Sequence, residues 1–167
     1  VKVRTSELDW SELDTNTSSM RLQALPVRLQ EKTQPAYLAR VQQHLEFSVS
    51  TQLELPVQEG HSAGLVIFQS SEFNLFLGVR KIGQGYLVFL EEVREGLTQT
   101  VAREEISTSE PYIVLGMEQR DATLGFYHQT AGSGATELIA GIDAKNLSTQ
   151  AAGGFVGATI GMHARSE

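Results

Sequence analysis

At 167 residues without a cysteine, the chain is long enough to bury one core, and it excludes a disulfide framework, a thiolate metal site and thiol catalysis. Twenty acidic against thirteen basic residues give a formal charge of −7, with Arg and Lys scattered singly, which argues against nucleic acid and anionic membrane as partners. Hydrophobic residues make up 41%, yet no apolar run approaches the roughly 18 residues of a bilayer span, so a soluble globular protein is expected. The chain starts at Val1 with neither an initiator methionine nor an apolar signal segment, as expected of a piece of a longer protein or a processed product.

In chain order, SMRLQAL (19–25) and AYLARVQQ (36–43) alternate apolar and polar residues as strands do. Between them PVRLQEKTQ (26–34) has room for a turn or two of helix. The clearest strand is HLEFSVSTQLEL (44–55). There Leu45, Phe47, Val49, Leu53 and Leu55 alternate with His44, Glu46, Ser48, Ser50, Gln52 and Glu54, the period of a sheet buried on one face.

The next stretch, GHSAG (60–64), fits the Gly-x-Ser-x-Gly pattern that carries the nucleophile of lipases and esterases. That chemistry needs a strand before the serine and a helix after it. Here the serine is followed by LVIFQSS, a β-branched and aromatic run of strand character. The expectation is therefore a turn at Glu59-Gly60-His61 leading into a strand over 63–69.

Shorter alternation follows in FNLFLGVRK (73–81), GYLVFLEEV (85–93), PYIVLGMEQ (111–119), TLGFYHQ (123–129) and FVGATIGMHA (155–164). KIGQG, QRDA and TAGSGA supply tight turns between them. DAKNLST (143–149) is the other short helical candidate, with Asp143 as its cap. Strands spaced about ten residues apart, without intervening helices, predict an all-β antiparallel sandwich or jelly roll.

Candidate chemistry is sparse. The histidines at 44, 61, 128 and 163 form neither an HxH pair nor a helical i, i+4 pair. His44 and His61 are read as solvent-facing, and His128 and His163 as able to meet across strands. Glu7, Asp9, Glu12 and Asp14, and the pairs Glu91-Glu92 and Glu104-Glu105, are read as solvated faces, because adjacent strand residues point to opposite sides. No DxDxDG-like run offers a calcium loop, so no metal and no cofactor are expected.

Phe73, Phe76, Phe89 and Tyr127 are possible sugar platforms, although strand-interior aromatics more often fill a core. Phe155 differs. It follows Ala-Ala-Gly-Gly, and it shares strand parity with Gly157, Thr159, Gly161 and His163 while Val156, Ala158, Ile160 and Met162 form the apolar face. A ring there is expected to project at the sandwich rim.

DAKNLSTQAAGGFVGATIGMHA resembles the closing segment of the C-terminal β-sandwich domain attached to glycoside hydrolase family 43 β-xylosidases. The matching positions are Asp143, Ala144, Leu147, Ser148, Gly153, Gly154, Phe155, Gly157, Ala158 and Gly161. AYLARVQQHLEFSVST is similar to that domain's Leu-x-Arg-x-Gln-x-His strand pair through Leu38, Arg40, Gln42 and His44, and SAGLVIFQSSEFNLFLGV to its Ala-Gly-Leu strand and hairpin. Two departures stand out: TAGSGATEL lacks a tryptophan common after that turn, and Gly154-Phe155 replaces the Phe-Phe of some relatives.

The resemblance implies a concanavalin A-like jelly roll of two antiparallel sheets over 1–167, one accessory domain that is not itself catalytic. It also implies a catalytic five-bladed propeller upstream in the same polypeptide as its partner. Phe155, freed by Gly153 and Gly154, would help wall the pocket for a xylo-oligosaccharide or arabinoside. Two other readings stand beside this one: an independent carbohydrate-binding module of the same fold, and a free-standing esterase using Ser62. The pentoside cleaved, the oligomeric state and a cytoplasmic, periplasmic or secreted location are left open.

Overall fold

The computed structural model describes residues 9–31, 33–44, 46–147 and 157–167. Among them the regular structure is β, apart from one 3-10 turn at Ala144–Leu147. The strands are β1 (Ser11–Asp14), β2 (Ser19–Leu22), β3 (Ala36–Val41), β4 (Phe47–Glu54), β5 (Ser62–Phe68), β6 (Phe73–Ile82), β7 (Gly85–Arg94), β8 (Leu97–Ile106), β9 (Tyr112–Arg120), β10 (Thr123–Thr130), β11 (Thr136–Asp143) and β12 (Thr159–Arg165). β1 and β2 form a hairpin. The rest divide into a six-stranded sheet, ordered β3-β12-β5-β6-β7-β8, and a four-stranded sheet, ordered β11-β10-β9-β4. Neighbours within each sheet run antiparallel. β12 enters between β3 and β5, and β4 leaves for the opposite sheet, so the strands interleave as in a jelly roll.

Side-chain alternation places the core between the sheets. Leu65, Ile67, Leu75, Leu77, Val79, Val88 and Leu90 from the large sheet meet Ile113, Leu115, Met117, Leu124 and Phe126 from the small one. β4 behaves as its sequence predicts: Phe47, Val49 and Leu53 pack on this core while Ser48, Ser50, Gln52 and Glu54 are exposed. Leu45 lies outside the described residues. Ile160 and Met162 of β12 also pack on the core, in agreement with the parity read from the sequence.

The other face of the large sheet is buried as well, which alternation alone did not predict. It carries a second apolar cluster of Leu29, Tyr37, Ala39, Val66, Phe76 and Phe89. Residues 25–30 run across it. Leu25 bridges Arg165 in parallel and its carbonyl accepts from Ser166 N (3.1 Å), Leu29 enters the cluster, and Gln30 Nε2 donates to Thr98 Oγ1 on β8 (2.9 Å). The segment expected to hold a short helix is this crossing strap, with a tight turn where Glu31 N donates to the Arg28 carbonyl (3.1 Å). Burial on both faces explains why Asn74 to Val79 of β6 are buried without a break.

Register aligns Tyr37, His163, Gly64, Gly78 and Phe89 in one row across five strands. A Cβ on Gly78 would lie 2.6 Å from Phe89 Cζ and 2.9 Å from Phe76 Cζ, and one on Gly64 would strike the Leu77 carbonyl. Gly78 leaves room for the Phe76 and Phe89 rings, and Gly64 lets the β6 backbone approach closely; the Phe76 ring lies 5.1 Å from the His163 ring and 5.4 Å from Phe89.

Candidate functional site

Phe155, Gly153 and Gly154 lie outside the described residues. The described residues that flank them define a rim. Upstream, Ala144–Leu147 follows β11, with the Asp143 carboxylate accepting from Lys145 N (2.9 Å) as the expected cap. Downstream, β12 begins at Thr159, opposite Val41 of β3 and Phe68 of β5. Gln42 N donates to the Ala158 carbonyl (2.9 Å), and Val41 is 45% exposed beside it. The Tyr37 hydroxyl donates to the Thr159 carbonyl (3.2 Å) and lies 3.0 Å from Thr159 Oγ1, which in turn donates to the Phe68 carbonyl (3.2 Å). Burial pushes the Tyr37 phenol well above its ordinary value, so this hydroxyl keeps its proton and fastens the strand ends.

Polar groups buried behind this rim are paired for structure. Arg165 Nη1 and Nη2 grip Glu91 Oε1 and Oε2 at 2.8 and 2.9 Å, and the guanidinium lies 5.1 Å from the Phe76 ring centroid. Burial alone would push the Glu91 carboxyl up. The hydrogen bonds and charge of Arg165, with Arg28 and Arg80 nearby, outweigh it and hold the group below its ordinary value. Arg80 stacks on Phe89 (4.9 Å) and pairs with Glu167.

His163 is fully buried and donates from Nδ1 to the Ala36 carbonyl (3.0 Å), which fixes the tautomer. Burial pulls its pKa down to about 4. The Ala36 carbonyl opposes that shift and the Arg165 charge adds to it. Nε2 has no partner among the described residues.

Several sequence expectations change. Glu91 and Glu92 point to opposite faces as read, but both are buried rather than solvated: Glu91 holds Arg165, and Glu92 accepts from Arg94 (2.8 Å) and Gln99 (3.0 Å). Glu104 bonds His128 Nε2 (3.0 Å), while Glu105 is exposed. His128 and His163 do not meet, because His128 faces the space between the sheets, where it reaches Glu104, whereas His163 lies on the outer face of the large sheet against Phe76. His44 is exposed as expected, and His61 is half-buried in its turn.

Phe76 and Phe89 are core residues, whereas Tyr127 is half-buried on the outer face of the small sheet. Ser62 is buried as the first residue of β5, its Oγ has no partner among the described residues, and β6 follows rather than a helix. No three His, Asp or Glu side chains gather to hold a metal ion among the described residues. The buried Arg165–Glu91 pair carried no sequence signal, since its members stand 74 residues apart.

A family model described as the β-xylosidase C-terminal concanavalin A-like domain matches residues 2–167. The chain belongs to that family. This concanavalin A-like domain is 30% identical over 159 residues to a xylosidase/arabinosidase of Butyrivibrio fibrisolvens, covering 95% of this chain and 30% of that protein. A family 43 glycoside hydrolase structure retrieved from a capybara gut metagenome superposes with a TM-score of 0.87 at 26% identity, covering 95% of this chain and 30% of that one. The xylan β-1,4-xylosidase of Bacillus halodurans shares the fold with a TM-score of 0.84 at 23% identity, over 94% of this chain and 31% of that one. The domain thus spans about 30% of the length of the curated relatives it matches. It is the C-terminal, non-catalytic part of such family 43 enzymes.

Proposed function

We propose that this chain, over 1–167, is one accessory β-sandwich of a family 43 enzyme acting on xylosides or arabinosides. In this reading it packs against a catalytic propeller upstream in the same polypeptide, and Phe155, placed by Gly153 and Gly154, walls the sugar pocket. The match to a domain that makes up only about 30% of its curated relatives carries the proposal, since the remaining length of those proteins lies outside the matched region. The rim adds support. Downstream of 148–156, β12 starts between β3 and β5 beside an exposed valine, which leaves apolar surface at this rim.

The test is Phe155→Ala in the parent polypeptide. The expected result is a loss of kcat/KM on an aryl xyloside or arabinofuranoside worth about 1 to 3 kcal/mol of apolar contact, with the sandwich still folded. Unchanged kinetics on both substrates, or unfolding of the sandwich, would remove Phe155 from the pocket.

A further inference from the structure

The outer face of the four-stranded sheet is not used by the rim, and its centre is built around one ring. Register puts Ser50, Gly116, Tyr127 and Glu137 in a row across β4, β9, β10 and β11, all on the outer side. Gly116 has no Cβ, and the phenol end of Tyr127 occupies the space that one would fill. The ring therefore lies down on the sheet rather than standing off it, and its half-burial leaves ring surface toward solvent.

Around the ring the side chains are mostly polar: Glu137 stands opposite Tyr127 in register, and Glu118 stands opposite Ser48 and Gly125. Ser48 and Ser50 present exposed hydroxyls on β4, Gln52 an exposed amide on the same strand, and Gln129 another amide on β10. Further along the face a shallow depression of about 220 Å³ is lined by Gln52, Tyr112, Val114 and Gln129 among others, and a second opens beside Ser48 and Glu118.

We infer that this face binds a neutral oligosaccharide of pyranoses, with Tyr127 as its stacking platform. A pyranose offers an apolar C–H face bordered by hydroxyls. A recumbent ring flanked by hydroxyls, amides and the carboxylates of Glu118 and Glu137, all able to bond sugar hydroxyls, matches that pattern. The face suits other partners poorly. Glu54, Glu118 and Glu137 and the overall charge of −7 repel polyanions, and the Tyr127 ring with Val114 and Tyr112 makes a small, carboxylate-studded apolar surface for the centre of a protein interface. The inference does not depend on the pocket-wall reading, because the rim and this face belong to different sheets.

The experiment is an amide-resolved NMR titration of the 167-residue chain with xylohexaose, and separately with cellohexaose, into the millimolar range. Saturable shifts centred on Ser50, Gly116, Tyr127 and Gln129 with either sugar are expected. Affinity should fall about tenfold or more in Tyr127→Ala and persist in Tyr127→Phe. Gln52→Ala and Gln129→Ala, in exposed or half-exposed positions, should also weaken binding, and they decide the matter if Tyr127→Ala does not fold. Which hexaose binds more tightly identifies the backbone preferred. No saturable shift with either sugar, shifts centred on the rim at Val41 and Thr159, or unchanged affinity in the folded variants would overturn the inference.

Discussion

The unfolded chain binds a proton at His163 near pH 6.5, whereas in the fold burial keeps the imidazole neutral down to about 4. Between those values the unfolded state holds more protons. The contribution of His163 is therefore fully present above about pH 6.5 and is lost as pH falls toward 4, a change of about 3 kcal/mol. Glu91 follows at lower pH. Its carboxyl is held below its ordinary value of 4.5, so the stability it contributes is present above that value and is lost as acid protonates it. Urea midpoints measured from neutral pH down to about pH 4.5 should fall steadily, and His163→Leu should flatten that decline. An unaltered slope in the variant would assign the acid sensitivity to other groups. None of this is legible in MHARSE, where neither His163 nor Arg165 carries a local sign of burial. Their burial depends on a strap and a glutamate far away in sequence.

At the scale of the strand, legibility followed solvent. β4 has one wet face, and its alternation gave which residues face the core, over 44–55 where the strand runs Phe47–Glu54. The partial exposure of Phe47 moderates its contribution, because β4 is an edge strand of the small sheet. Phe47→Ala should cost about 2 to 3 kcal/mol, below the upper range for a fully enclosed ring such as Phe126. Ser48→Ala should cost under about 0.5 kcal/mol. Equal shifts of the denaturant midpoint at both positions would contradict this register.

β8 was not recognised because a bulge opposite Leu90 and Glu91 shifts its parity midway, so neither half of LTQTVAREEI alternates cleanly with the other. β1 went unread because four residues are too few to establish a period. The hairpin turn before β8 did leave a signal in Glu95-Gly96, both at positive φ, the pair of conformations that a two-residue connection requires.

For the molecule as a whole, class and family were readable because strand spacing and three short blocks are properties of the chain itself. The candidate site was readable from strand parity, from the Gly153-Gly154 run and from the resemblance, and its ring, Phe155, lies outside the described residues. Hydrolysis of a glycoside needs an acid and a nucleophile or base set about one sugar. The buried carboxylates described here are committed elsewhere: Glu91 to Arg165, and Glu92 to Arg94 and Gln99. The 167-residue chain alone should therefore release no chromophore from an aryl β-xyloside or aryl α-arabinofuranoside. Turnover abolished by a single carboxylate substitution would overturn its accessory role.

The placement of β12 sets the order in which this domain can be made. Among the described residues β3 is paired only through β12, and β5 has β12 along one whole side, and the last residue of β3, Val41, stands 118 positions before its partner Thr159. A nascent chain that has not yet delivered Thr159–Arg165 leaves two strand edges open and the Tyr37 hydroxyl without Thr159. Closure of the sheet is thus a late and long-range event, which favours slow folding and exposes those edges to other chains in the meantime. A chain stopped at Ala158 should fail to give a cooperative thermal transition and should associate. Adding a peptide of residues 159–167 in trans should restore part of the native signal, and a cooperative transition without it would show that the sheet closes by another route.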